Sequence, residues 1–163
     1  MIVKHAFITQ GSSLFQVLHI IANATNVLLL FWLLAVLVIG SRRGNLGARA
    51  WLACLSCVAV VYLIKTVEGH FDIWKSFGGD YSTHSALAMA LVIPLCFLEC
   101  SRRVLALGVF VAYEVLIVLL GFHSVLDIVS TLLVVVPLLF LCWKMWRPLN
   151  PQSAPEQSLT RAN

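Results

Sequence analysis

The sequence contains few charged residues. Of its 163 residues, 11% are Asp, Glu, Lys or Arg, and 61% are hydrophobic. Soluble domains carry about 25% charged residues, so this chain lacks the polar surface of a soluble globule. A transmembrane helix uses about 20 apolar residues. The chain therefore has room for five or six such helices and for no separate soluble catalytic domain, and any chemistry is expected at helix ends and in short connections.

The sequence also lacks the patterns of several other site types. Its five cysteines lie in or beside apolar segments, and this odd number does not form a disulfide framework. Cys54 and Cys57 have half of a zinc-site spacing, but no second pair of Cys or His residues follows to complete tetrahedral coordination. There is no glycine-rich phosphate loop. We therefore predict no metal site.

Apolar segments predict five transmembrane helices. The first runs from about Val17 to Ile39, and we interpret it as a retained anchor because it is longer than the apolar part of a cleaved signal peptide. Four more segments carry little or no charge: Ala50–Ile64, His84–Leu98, Val104–Phe122 and Val125–Trp143. The expected fold is an all-α, polytopic membrane helix bundle over residues 1–147. Residues 148–163, rich in Pro, Ser and Gln, are predicted to form a disordered cytoplasmic tail.

The basic residues orient this bundle. Eight of the eleven Lys and Arg residues fall in the tail or at alternate connections. The positive-inside rule then predicts an outer N-terminus, an inner C-terminus, and outer loops over residues 66–83 and 121–124. The net charge of +4 is explained by topology, so no nucleic-acid partner is expected. We predict a bacterial inner membrane protein whose N-terminus is periplasmic.

Ionisable residues converge on the predicted outer face. Such groups are costly in a membrane helix, and their presence suggests function. His84 opens the third span after a small, polar run, and a helix start presents free N–H groups to a phosphate. Asp127 follows His123 by one helical turn, so its carboxylate can accept the Nδ1 proton and leave Nε2 as a nucleophile. A structural His–Asp bond at the membrane interface is the alternative. The other histidines are expected to be solvated or packed residues: His5, His19 and His70.

Two short motifs resemble those of a known family. Tyr81-Ser82-Thr83-His84-Ser85-Ala86 and the run Gly121–Ile128, whose His123 follows His84 by 39 residues, resemble the second and third motifs of the type-2 phosphatidic acid phosphatase superfamily. Those motifs are written Pro-Ser-x-His and Ser-Arg-x5-His-x3-Asp. The runs Ser-Thr-His and His-Ser-Val-Leu-Asp-Ile are similar to the sphingosine-phosphate phosphatase branch, and Gly-Gly-Asp-Tyr resembles the sphingomyelin synthase branch. The resemblance covers roughly residues 65–132.

The resemblance implies a lipid phosphatase with its active site at the outer face. In that family the second histidine attacks phosphorus and forms a phosphohistidine. By position, His123 is then the nucleophile, Asp127 orients it, and His84 protonates the leaving oxygen. Ser82 and Thr83 would bind the phosphate at the helix start, and Lys65 fits the lysine of the first motif, Lys-x6-Arg-Pro. Because histidine takes the place of a metal-activated nucleophile, no metal and no cofactor is expected.

The sequence departs from these motifs at both arginines. Asp72 stands where the first motif has Arg, and Leu116 and Ile117 stand where the third has Ser-Arg. Such cations normally meet developing phosphoryl charge. Lys75, His70 or the helix-start N–H groups are candidates to replace them.

Three functions remain open at this point. The first is a phosphatase that hydrolyses a lipid phosphate or pyrophosphate. The second is a phosphotransferase that moves a phospho-headgroup to a lipid hydroxyl, and the third is a non-catalytic, lipid-binding member of the same fold. Glu114, in the fourth span, also has several possible roles: a neutral carboxyl, a partner of Lys65, or part of a substrate path.

Overall fold

The structure, a computed structural model, describes residues 13–146 as an all-α bundle. Five long helices are joined by short connections, one of which holds the single-turn helix α3 and another a 3₁₀ turn at Cys100–Arg102. The helices are α1 (Ser13–Arg42), α2 (Ala48–Phe71), α3 (Ile73–Ser76), α4 (Thr83–Leu98), α5 (Arg103–Leu119) and α6 (Val125–Trp146). The predicted all-α class is confirmed for this range, which contains no strand. The predicted tail and His5 lie outside the described residues.

Three helices are long and apolar enough to cross a membrane, namely α1, α2 and α6. They indicate an integral membrane protein. Helix α4 has 16 residues and therefore extends about 24 Å at about 1.5 Å per residue, less than the bilayer's hydrocarbon core of about 30 Å. Helix α5, with 17 residues, is of similar length. Helix length thus supports three of the five predicted spans.

The short helix α4 lies at the centre of the bundle, where it contacts α1, α2, α5 and α6. Nine of its 16 residues are buried. A helix that is apolar all round is a buried one, and this placement means that neighbouring helices, rather than lipid, surround α4. On one side, Ala86 and Ala90 pack in a common cluster with Cys57 and Val61 of α2 and with Val135 of α6. Small residues at such contacts let helix backbones approach closely.

The connection from α2 to α4 is shorter than the sequence predicted. A loop was expected from residue 66, but α2 continues to Phe71 and ends where Asp72 adopts a left-handed conformation with φ 48°. The extra turns are stable because buried Glu68 finds a partner: both of its carboxyl oxygens accept the backbone N–H of Trp74, at 3.1 and 3.0 Å. The indole N–H of Trp74 then donates to Ser130 of α6 at 3.1 Å. The connection is thereby held against the bundle.

Helix α6 begins at Val125, the predicted first residue of the fifth apolar segment, so His123 precedes the helix and the prediction that Asp127 follows it by one helical turn was wrong. The reason is a capping box formed by Ser124 and Asp127. The Ser124 hydroxyl accepts the N–H of Asp127 at 3.2 Å, and the Asp127 carboxylate accepts the N–H of Ser124 at 2.9 Å. Gly121, with φ 72°, follows the end of α5, and His123 lies in the turn between the two helices. Its relation to Asp127 is therefore set by the cap and not by one turn of helix.

Candidate active site

The two predicted catalytic histidines come together at one end of the bundle. Their ring centroids are 6.4 Å apart. His84 lies in the first turn of α4 with an exposed side chain, whereas the side chain of His123 is only 11% exposed. Phe122 stacks on His84 at a centroid distance of 6.3 Å. A group bound between the two rings would thus meet one solvent-accessible and one sheltered imidazole.

Two carboxylates accompany His123. Asp127 uses Oδ1 to accept the backbone N–H of Asp80 at 2.8 Å, and Oδ2 to accept that of Ser124 at 2.9 Å. It also interacts electrostatically with His123. Oδ2 of Asp80 lies 4.0 Å from Nδ1 of His123, so the structure offers a second candidate for the orienting role. The sequence interpretation did not assign Asp80 to the site, although it belongs to the Gly-Gly-Asp-Tyr run.

Ser82 caps α4 and faces the interior. Its hydroxyl lies 2.8 Å from that of Ser85, which in turn donates to Oε2 of Glu114 at 2.6 Å. The N–H of Ser82 donates to the hydroxyl of Thr131 at 3.0 Å. Ser82, Ser85 and Thr131 are each 0% exposed. The predicted helix start and cap are confirmed, but the hydroxyl that was assigned to phosphate is part of a buried network.

Glu114 makes a contact that the sequence interpretation did not consider. Its carboxyl group bonds to Ser85 in the network. It also belongs to the lining of a cleft of about 280 Å³ between α5 and α6. The rest of that lining is apolar: Val115, Val118, Leu119, Val125 and Ile128.

Lys65 and Thr83 lie beside His84. Lys65 is exposed on α2 and is close enough to act electrostatically on the imidazole. Thr83 begins α4, and its backbone N–H donates to the Tyr81 carbonyl at 3.0 Å. The Tyr81 hydroxyl donates to the Val61 carbonyl of α2 at 3.2 Å, and burial raises the pKa of this hydroxyl. Tyr81 therefore stays protonated and anchors the segment that leads into α4.

The two side chains considered as replacements for the missing arginines have other partners. Lys75 bonds to Asp72 at 2.6 Å, and this hydrogen bond raises the pKa of the Lys75 ammonium. Both groups are exposed, with 67% and 58% of their side chains accessible. Nδ1 of His70 is 2.8 Å from the Thr66 carbonyl of its own helix. Neither contact connects these side chains to the histidine pair.

Helix α1 contributes to the site in a way that the sequence did not reveal. The side-chain amide of Asn26 donates to the hydroxyl of Tyr113 at 3.1 Å and to the backbone carbonyl of His84 at 3.4 Å. The ring of His19 packs on Phe122 at a centroid distance of 4.8 Å. His19 is thus a packed residue, as expected, and it lies at the edge of the histidine pair. These contacts join positions far apart in the chain, and no local motif marks them.

Within residues 13–146, no group of three His, Cys, Asp or Glu side chains has the arrangement of a metal site. The five cysteines are free thiols. No protein-family model, curated protein or solved structure shows a significant match to this chain. The functional argument therefore depends on the geometry of the site and on the two short motifs.

Proposed function

We propose that the protein is an integral-membrane lipid phosphatase that hydrolyses a lipid phosphate or pyrophosphate through a phosphohistidine. The observation that carries this proposal is the pair formed by His84 and His123, whose rings are 6.4 Å apart. Hydrogen-bond and attack distances are each about 3 Å, so both imidazoles reach one phosphoryl group placed between them. An aspartate beside His123 supplies the orienting carboxylate that an activated nucleophile needs.

The proposed reaction has two steps. The sheltered ring of His123 attacks phosphorus, and the bond to the lipid oxygen breaks as the N–P bond forms. The exposed ring of His84 donates its proton to that leaving oxygen. Water then attacks the phosphohistidine, His84 takes a proton from this water, and inorganic phosphate leaves with His123 restored.

The charges around the pair favour a second candidate, a lipid phosphotransferase. Asp80 and Asp127 place two carboxylates near His123, and Lys65 is the cation found beside His84. A phosphate monoester carries up to two negative charges, which such surroundings repel, whereas a phosphodiester carries one. In the transferase the first step is the same, and a lipid hydroxyl replaces water in the second.

We place the site at the outer face of a five-span bundle in a bacterial inner membrane, with the N-terminus periplasmic and the C-terminus cytoplasmic. Support comes from the arrangement of the connections. Those that follow α2 and α5 meet at the histidine end, where Oδ2 of Asp80 lies 4.0 Å from Nδ1 of His123. The basic connections after α1 and α4 lie at the helix ends opposite to the histidine end. The positive-inside rule assigns these basic connections to the cytoplasm.

A phosphate-release assay on detergent-purified protein tests the proposal. The substrates are phosphatidate, phosphatidylglycerophosphate, polyprenyl pyrophosphate and a sphingoid-base phosphate. His123→Ala is expected to abolish release, and His70→Ala is the matched control because it removes an exposed histidine outside the pair. Release that survives His123→Ala refutes the phosphohistidine.

A labelled phosphodiester lipid separates the two enzymes. Label that appears in a new lipid identifies the transferase, and label in water-soluble phosphate identifies the hydrolase. Lipid binding that is unaffected by His84→Ala and His123→Ala, together with no turnover, would refute both and identify a non-catalytic member of the fold.

A further inference from the structure

Two consecutive residues of α5 hold the helical turn that carries His84. The carboxyl group of Glu114 accepts the Ser85 hydroxyl at 2.6 Å, one residue after the histidine. The hydroxyl of Tyr113 accepts the Asn26 amide at 3.1 Å, and the same amide donates to the His84 carbonyl at 3.4 Å. The backbone of the histidine is thus held on both sides from one turn of α5.

The groups that hold this turn are buried or half-buried, whereas the imidazole is exposed. Tyr113 is 2% exposed and Ser85 is 0% exposed. The ring of His84 has two aromatic neighbours, Phe122 and His123, at centroid distances of 6.3 and 6.4 Å. An exposed ring with such loose contacts is aimed mainly by its backbone. The direction of the imidazole therefore depends on how α4 is held by its neighbours.

A polar group in an apolar interior is costly unless it has a hydrogen-bond partner. Half-buried Glu114 has one for Oε2, which accepts the Ser85 hydroxyl, whereas its Oε1 atom is buried without a hydrogen bond in the described part of the chain. A valine or leucine at position 114 would avoid the cost of removing a carboxyl group from water in a helix that faces lipid and α4. The carboxyl group at this depth thus needs a reason beyond packing, and the hydrogen bond to the turn of His84 provides one.

We propose that Glu114 and Tyr113 are positioning residues that aim His84 at the leaving oxygen, a role that rests on the proposed phosphatase function. Neither side chain is required to touch the substrate. Glu114 acts through Ser85, and Tyr113 acts through Asn26. The charge of the carboxyl group is not needed for this role, because an amide oxygen can accept the same serine hydroxyl.

The dependence of the rate on the leaving group tests this role. A general acid accelerates departure of a poor leaving group, such as a lipid alkoxide, by about 10²–10⁴-fold. A nitrophenolate leaves without a proton. In the first step, the formation of the phosphohistidine, variants that misdirect His84 must therefore slow the reaction of the lipid phosphate and spare that of p-nitrophenyl phosphate, whereas a general loss of structure slows both. The second step is the same for both substrates and also uses His84, so the first step is the one to compare.

The experiment compares the single-turnover rate of phosphohistidine formation from the two substrates for five variants, with the melting temperature of each as a check on folding. Glu114→Ala and Tyr113→Phe are expected to lower this rate for the lipid phosphate by about 10²-fold, the effect of a misplacement of about 1 Å. Both should form the phosphohistidine from p-nitrophenyl phosphate at close to the wild-type rate. His84→Ala is the reference for this pattern, because it removes the general acid itself. Glu114→Gln is expected to restore the rate for the lipid phosphate, and Val111→Ala, which truncates an exposed side chain of α5 outside the cleft, should change the rate for neither substrate.

The outcomes separate this inference from the proposed function. Equal losses on both substrates, or no loss in either positioning variant, overturn the positioning role while the phosphatase remains. Tyr113→Phe keeps the buried ring, so it remains informative if Glu114→Ala does not fold. Failure of the wild-type protein to turn over either substrate refutes the proposed function and this inference together.

Discussion

The Asp127 carboxylate joins two connections at the histidine end of the bundle, and its removal should destabilise both. Oδ1 holds the N–H of Asp80 at 2.8 Å and Oδ2 holds that of Ser124 at 2.9 Å. A hydrogen bond to a charged group contributes about 1.5–3 kcal/mol. Because Asp127 is half-buried, water replaces part of each bond, and the lower value applies. Asp127→Ala is therefore expected to lower the free energy of unfolding by about 3 kcal/mol.

Three variants calibrate this value in denaturant titrations of the protein in mixed micelles. Asp127→Asn keeps one acceptor oxygen and should lose about 1.5 kcal/mol. Ser124→Ala removes the hydroxyl cap of α6 and should lose about 1 kcal/mol. Leu126→Ala changes an exposed side chain in the same turn and should have little effect. If Asp127→Ala is as stable as Leu126→Ala, the carboxylate does not anchor these connections.

Asp127→Asn and a further variant, Asp80→Asn, separate anchoring from orientation of the nucleophile. Asp80 is 68% exposed at its side chain and lies 4.0 Å from Nδ1 of His123. If Asp80 orients the imidazole, Asp80→Asn lowers kcat without changing the free energy of unfolding. If Asp127 alone has this role, Asp80→Asn leaves phosphate release unchanged and Asp127→Asn lowers both quantities. Normal kcat in Asp127→Asn would refute the orienting role of Asp127.

Three further predictions concern charge, the α2–α3 turn and the central helix. Lys65→Ala should raise the KM for lipid phosphate, because the Lys65 ammonium lies beside the site. Lys75→Ala should leave this KM unchanged, because the partner of Lys75 lies elsewhere. Equal effects of the two variants in a phosphate-release assay would contradict this prediction. Glu68→Ala leaves the buried N–H of Trp74 without its acceptor and should lower the free energy of unfolding by about 1–3 kcal/mol. Glu68→Gln should lower it less, and unfolding titrations measure both values. Ala90→Leu overfills a position that is 0% exposed and should cost about 1–3 kcal/mol; unchanged stability would show that α4 is not closely packed.

Local patterns were sufficient to locate the helices. Each of the five apolar segments became a long helix, because the period and length of an apolar run depend only on neighbouring residues. The cap of α4 at Ser82 was also predictable from the residue types that precede it. His123 was wrongly placed in the first turn of α6 because the i, i+4 spacing of His123 and Asp127 was considered and the overlapping capping box of Ser124 and Asp127 was not.

The composition and motifs of the sequence determined the all-α class, the apolar helices and the candidate histidines. Each of these depends on residue type and short-range spacing, which are present in the chain before it folds. Only the tertiary structure decided that α4 is the central helix, that Ser82 faces inward, and that Glu114 and Asn26 reach the turn of His84. Those contacts join residues 29 to 58 positions apart along the chain, and the direction in which a side chain points is set by helix packing. The scarce polar groups of this protein therefore acquire their roles from the helices that bring them together.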